Sequence, residues 1–117
     1  EPKRFIHTFG DSHFYAGLEK RSQWYRKNLS ELKKRIRNVS AREEYLDVLG
    51  WVNKNAPSDE TEEKYDHVTA ILEQLSREPR LLPRMRIARK PFDKLTIEDF
   101  TLEDYKPHSK IERTMAI

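Results

Sequence analysis

A chain of 117 residues, 36% hydrophobic and 37% charged, has room for one domain with a modest core or for a piece of a larger one. Without Cys it holds no disulfide, no thiolate metal site and no Cys nucleophile of its own. Its net charge of +3 is too near neutral for a dedicated DNA binder, and no apolar run approaches membrane-spanning length.

The first predicted element is a strand at 4–9, where Phe5-Ile6-His7-Thr8-Phe9 is apolar and β-prone, closed by Gly10. Leu18, Tyr25, Leu29, Leu32, Ile36 and Val39 then fall on one face of a helix from about 18 to 38. Ser40-Ala41-Arg42-Glu43 has capping-box form and starts a second helix, with Tyr45, Val48, Leu49 and Val52 turned inward. Asn53 to Pro57 breaks it. Ser58 and Asp59 cap a third helix that buries Tyr65, Val68, Ile71, Leu72 and Leu75 and ends at Pro79. Arg84-Met85-Arg86-Ile87-Ala88-Arg89 alternates basic with apolar, a strand with one wet face, and Pro91 ends it. Thr96 to Asp99 is a short helical turn, Phe100 to Tyr105 the last strand, and a coil tail follows. The class is α+β: about three strands, with a three-helix segment between the first and second.

Charge is unevenly spread. Residues 18–42 carry nine Lys or Arg against two acids, and residues 43–78 three against ten. Such blocks suit either a nucleic-acid surface or neighbouring helices of opposite charge lying against one another, and the near-neutral total favours the helices.

The hexamer Gly10-Asp11-Ser12-His13-Phe14-Tyr15 is the most telling local feature. In an extended segment residues two apart share a face, so His13 and Tyr15 present an imidazole and a phenol side by side. Both groups donate or accept hydrogen bonds, which suits holding a hydroxyl-bearing ligand. Alone, a pair at this spacing is more often two ordinary strand-end residues. Three later stretches accompany it in order: Leu75-Ser76-Arg77-Glu78-Pro79-Arg80, Leu82-Pro83-Arg84-Met85-Arg86-Ile87 and Asp104-Tyr105-Lys106-Pro107-His108. The chain then stops at Met115-Ala116-Ile117.

In that order the set resembles the carboxy-terminal part of the thymidylate synthase family, over residues 4–15 and roughly 66–117. Between about 16 and 64, where the family usually passes straight into one helix, the chain departs from the pattern, so those residues read as a helical insertion within one domain, 1–117. The resemblance implies a cytosolic, homodimeric enzyme that methylates dUMP to dTMP with 5,10-methylenetetrahydrofolate as one-carbon donor and reductant, through a Cys thiolate nucleophile. It implies that His13 and Tyr15 hydrogen-bond the 3′-hydroxyl of the deoxyribose, which is positioning and not proton transfer to the reacting carbon. It also implies that Met115, Ala116 and Ile117 fold over the site when folate binds and shut out water. Thr114 sits where many members carry Pro or an acidic residue. The nucleophilic Cys, the phosphate arginines and the base-reading residues of the family precede residue 1, so the isolated segment reads as inactive. Glu1-Pro2-Lys3-Arg4, without Met and with no signal-peptide pattern, reads as the edge of a truncation.

Remaining residues take plainer readings. Arg77, Arg80, Arg84, Arg86 and Arg89 are strand-face and surface residues, and His67 and His108 are structural. Four His with no Cys and no paired helical His give no metal site. Trp24, Tyr25 and Trp51 fill the insertion's own small core or pack it on the body. Stacking on a single-stranded nucleic acid is the weaker reading of those aromatics. Two alternatives stay open: a protein- or RNA-interaction domain built on the insertion, and a deoxycytidylate hydroxymethylase fragment.

Overall fold

The computed structural model describes residues 6, 8–10 and 13–115. These fall into two compact units, one reaching to Arg77 and taking in the tail from Ile111, the other Glu78–Lys110.

The first unit is helical. Helix α1 spans Lys20–Arg37, a 3-10 turn Arg42–Glu44 leads into α2 at Tyr45–Asn55, and α3 (Glu60–Lys64) precedes α4 (His67–Ser76). Its core is Tyr25 and Leu32 of α1, Val48 and Val52 of α2, Ala56, and Leu72 of α4, with Trp24, Val39, Tyr45, Leu49, Trp51 and Val68 packed around it. These are largely the positions that helical periodicity selects. Leu18 and Leu29 of the expected α1 stripe remain 45% exposed, as does Leu75 at 41%, because the packed surface covers only part of each stripe. Trp24 meets Tyr25 edge-on at 5.1 Å and Trp51 at 5.2 Å, and the Arg35 guanidinium lies over the Trp51 ring at 4.6 Å. The aromatics are thus engaged within the unit.

The helical unit departs from the expected elements in two places. The residue that reaches back at the start of the second helical segment is Glu44, one place later than the capping-box spacing suggests. Its carboxylate accepts from the Ser40 and Ala41 backbone N–H groups at 2.7 and 3.3 Å, and the chain makes a 3-10 turn before α2. The expected third helix is two helices. Asp59 caps α3 through the Thr61 and Glu62 N–H groups, and Asp66 starts afresh by capping α4 through Val68 and Thr69. The apolar period runs on across Tyr65 and Asp66, so periodicity alone gives no sign of the break.

The opposite charge blocks meet. Lys20 pairs with Asp59 at 3.2 Å, and Arg21 with Asp66 at 2.6 Å and Glu63 at 3.7 Å.

The second unit holds a two-stranded antiparallel sheet, β1 (Arg84–Ile87) against β2 (Phe100–Glu103), paired Arg84↔Glu103, Met85↔Leu102, Arg86↔Thr101 and Ile87↔Phe100. Period two puts Met85, Ile87, Phe100 and Leu102 on one face. The other face carries the Arg86–Glu103 ion pair at 2.7 Å, and Arg84 reaches Asp104 at 3.0 Å. The apolar face is 40–57% exposed, and a two-stranded sheet of this size is marginal alone. The expected strand at 4–9 lies largely outside the described residues, and Ile6, Thr8 and Phe9, which are described, carry no strand. Where three strands were expected, the described residues form a sheet of two. The α+β class stands. Among the described residues no helix is long and apolar enough to cross a membrane.

Candidate functional site

The turn between α3 and α4 is where distant parts of the first unit converge. Ala16 forms an antiparallel bridge with Asp66, flanked by Gly17 N–H donating to Tyr65 O at 3.1 Å and His67 N–H donating to Tyr15 O at 2.9 Å. The chain therefore leaves at Ala16, makes three helices, and returns beside its own point of departure. Gly17 makes the exit possible: its φ is +79°, and a Cβ there would collide with Arg21 Cβ and Glu62 Oε2.

Two buried carboxylates hold this junction. Asp66, fully buried, accepts from Arg21 Nη1 at 2.6 Å and the Tyr25 hydroxyl at 2.7 Å on one oxygen, while the other caps α4. Burial, and then the Asp66 charge, pushes the Tyr25 phenol well above its ordinary range, so it remains a donor. Glu62 serves a different helix. Glu19, at the N-cap of α1, makes no side-chain cap bond; instead the Glu62 carboxylate accepts from the N–H groups of Leu18, Glu19, Lys20 and Arg21 at 2.8–3.2 Å. Burial alone would raise the Glu62 pKa, but these four donors hold it below its ordinary value.

Against this frame lie the sequence-predicted site residues. His13 Nε2 and the Tyr15 hydroxyl share a hydrogen bond at 3.1 Å, with their rings edge-to-face at 5.2 Å. Tyr15 in turn meets His67 edge-on at 5.2 Å, and its backbone N–H donates to His67 Nδ1 at 3.4 Å. The other ring nitrogen of His67 is 3.0 Å from Thr114 O. The tail is pinned to the same turn by Thr114 N–H donating to Lys64 O at 2.8 Å, a bond that Pro at this position would forfeit, and by Arg113 donating to Asp66 O at 3.1 Å. Met115 follows at 65% exposure; Ala116 and Ile117 lie outside the described residues.

The pair and the root of the tail are therefore neighbours. His67, read from sequence as structural, is the residue between them. Among the described residues Arg77 pairs with Glu73, Arg84 with Asp104 and Arg86 with Glu103, and Arg80 donates to Lys106 O. His108 lies 2.6 Å from Glu78 O. Among the described residues no cluster of three His, Cys, Asp or Glu is placed to hold a metal.

A family model described as thymidylate synthase matches residues 1–117. This chain belongs to the thymidylate synthase family. It is 42% identical to a thymidylate synthase of Haloferax volcanii over 113 residues, 96% of this chain and 33% of that protein. It is 48% identical to one from Rhizobium rhizogenes over 54 residues (44% of this chain, 18% of that protein) and 43% identical to the Homo sapiens thymidylate synthase over 54 (44% and 17%). At 96% coverage the Haloferax alignment runs through the helices between 16 and 64, whereas the 54-residue matches cover less than half of this chain. The matches span a third or less of those relatives' own length. No solved structure matches significantly.

Proposed function

We propose that this chain is the carboxy-terminal part of a thymidylate synthase, in which His13 and Tyr15 orient the deoxyribose of dUMP and Met115, Ala116 and Ile117 close over the site. The observation that carries this reading is the meeting of the His13–Tyr15 pair and the tail root on one turn. An imidazole and a phenol, already bonded to each other, can offer a sugar hydroxyl both a donor and an acceptor. The exposed Met115 side chain suits contact with the flat apolar rings of a folate, and Thr114 before it is anchored. When bound, 5,10-methylenetetrahydrofolate supplies the one-carbon unit and the reducing hydride. This chain's residues supply orientation and exclusion of water. Its lack of Cys means that the nucleophile of the parent enzyme belongs to residues outside these 117.

On the same reading, residues from about 16 to 64 are a helical insertion, and the Ala16–Asp66 bridge brings its two ends together. The apolar face of β1 and β2 is covered in the parent by the remainder of its sheet, and the parent is a cytosolic homodimer. Trp24, Tyr25 and Trp51 are spent inside the helical unit, which argues against a nucleic-acid surface there.

The test is turnover by the full-length protein that carries this chain, followed as release of tritium from C5 of labelled dUMP on addition of methylenetetrahydrofolate. Release is the expected result. Turnover of dCMP in place of dUMP would point to a hydroxymethylase, and turnover of neither would refute the reading. The 117-residue chain alone is expected to bind no dUMP at millimolar concentration. Two hydrogen bonds contribute about 1–3 kcal/mol, and a millimolar complex needs about 4. Chemical-shift changes at His13 and Tyr15 under those conditions would contradict this.

A further inference from the structure

His67 joins two parts of the proposed site that no expectation connects. We propose that it is a positioning residue that couples the sugar-binding pair to the C-terminal tail; the proposal rests on the roles given above to His13, Tyr15 and the tail. A backbone N–H only donates and a carbonyl only accepts, so the two partners of the ring dictate its state. Nδ1 accepts from Tyr15 N–H at 3.4 Å and must be bare, while Nε2 carries the proton and donates to Thr114 O at 3.0 Å. One imidazole thus bonds to the Tyr15 backbone on one edge and to the tail on the other.

The surroundings leave the ring little freedom to move independently. Its own backbone N–H donates to Tyr15 O at 2.9 Å, and the Tyr15 phenol packs edge-on against it at 84°. On the tail side, Arg113 donates to Asp66 O and to Thr69 Oγ1 at 3.1 and 3.3 Å, holding the chain where Thr114 meets the ring. A tail movement that lengthens the Nε2–Thr114 bond tilts the ring on which the phenol rests. Anchoring of the tail at Thr114 and placement of the Tyr15 hydroxyl are therefore linked. Linkage is reciprocal: nucleotide that orders Tyr15 favours the anchored tail by the same factor that the anchored tail favours nucleotide.

Kinetics of the full-length protein test this with three variants. His67→Ala loses both bonds. His67→Asn keeps an acceptor near Nδ1 but does not reach Thr114, and His67→Gln keeps a donor near Nε2 but offers Tyr15 N–H no acceptor. His67→Ala is expected to raise KM for both dUMP and methylenetetrahydrofolate by about 3- to 10-fold, the range for one hydrogen bond each. Asn should restore the nucleotide KM and Gln the folate KM. A merely structural role would instead move all three variants together, in step with their thermal unfolding, and that result overturns the proposal. So do unchanged constants in His67→Ala. An inactive wild-type protein would refute the functional reading and the coupling with it, whereas an active one without the Asn–Gln split refutes the coupling alone.

Discussion

Replacing Asp66 with Ala is expected to cost about 3–5 kcal/mol, the range for removing one partner of a buried ion pair, and so to unfold most of the helical unit. The Arg21 side chain is 2% exposed and Asp66 fully buried, so the substitution strands a guanidinium in the protein interior. Arg21 Nε would keep Pro57 O at 3.0 Å, and a second nitrogen would keep Glu63 at 3.7 Å, but the 2.6 Å bond and the full balancing charge would be gone. The Tyr25 hydroxyl loses its acceptor and α4 loses its cap in the same step. Urea unfolding followed by far-UV circular dichroism measures the cost. A loss below about 1 kcal/mol, the level of an exposed ion pair, would mean that the junction is wetter and looser than described.

Glu62→Gln is expected to destabilise by about 2 kcal/mol at neutral pH and to flatten the acid side of the stability profile. An amide offers one acceptor oxygen where the carboxylate now serves four N–H groups, and it faces the positive end of α1 without a charge. The sign of the pH effect follows from the pKa. Four donors outweigh burial and hold the folded Glu62 below the ordinary 4.5, so its contribution is complete above that value. It is lost as pH falls through the lower folded pKa. Glu44, held low by the Ser40 and Ala41 N–H groups, and Asp59, held low by Lys20 and the α3 N–H groups, weaken in the same window. Wild type should therefore lose stability on acidification, and Glu62→Gln should lose less. Parallel profiles for the two proteins would remove Glu62 from its assigned role.

Both carboxylates were invisible as such in the sequence, for a shared physical reason. Glu62 lies in the acidic run Asp59 to Glu63, which reads as a solvated helix face, and its partners sit more than 40 residues earlier. Asp66 interrupts an apolar period without interrupting its phase, so the single helix expected from 58 onward concealed a second start. Periodicity did locate α1, α2 and both strands to within a few residues, because each has a one-sided burial or pairing pattern of its own. The expected strand at 4–9 lies largely outside the described residues. At the site, period two placed His13 beside Tyr15 from two residues alone. His67 was missed because its contact with Tyr15 spans 52 positions and follows from the Ala16–Asp66 bridge. Gly17 was the available clue. A lone Gly between the His13-Tyr15 pair and a long helix is a natural place for a left-handed turn that sends the chain off on an excursion.

The most direct test of the central claim compares dUMP with its 3′-deoxy analogue as substrates of the full-length protein, in wild type and in a His13→Ala/Tyr15→Phe double variant. If these two side chains hold the 3′-hydroxyl, wild type should prefer dUMP by about 10- to 100-fold in kcat/KM, as two hydrogen bonds of ordinary strength require. The double variant should retain only a few-fold preference. An undiminished preference in the double variant would contradict the account, since the sugar hydroxyl would then be read elsewhere.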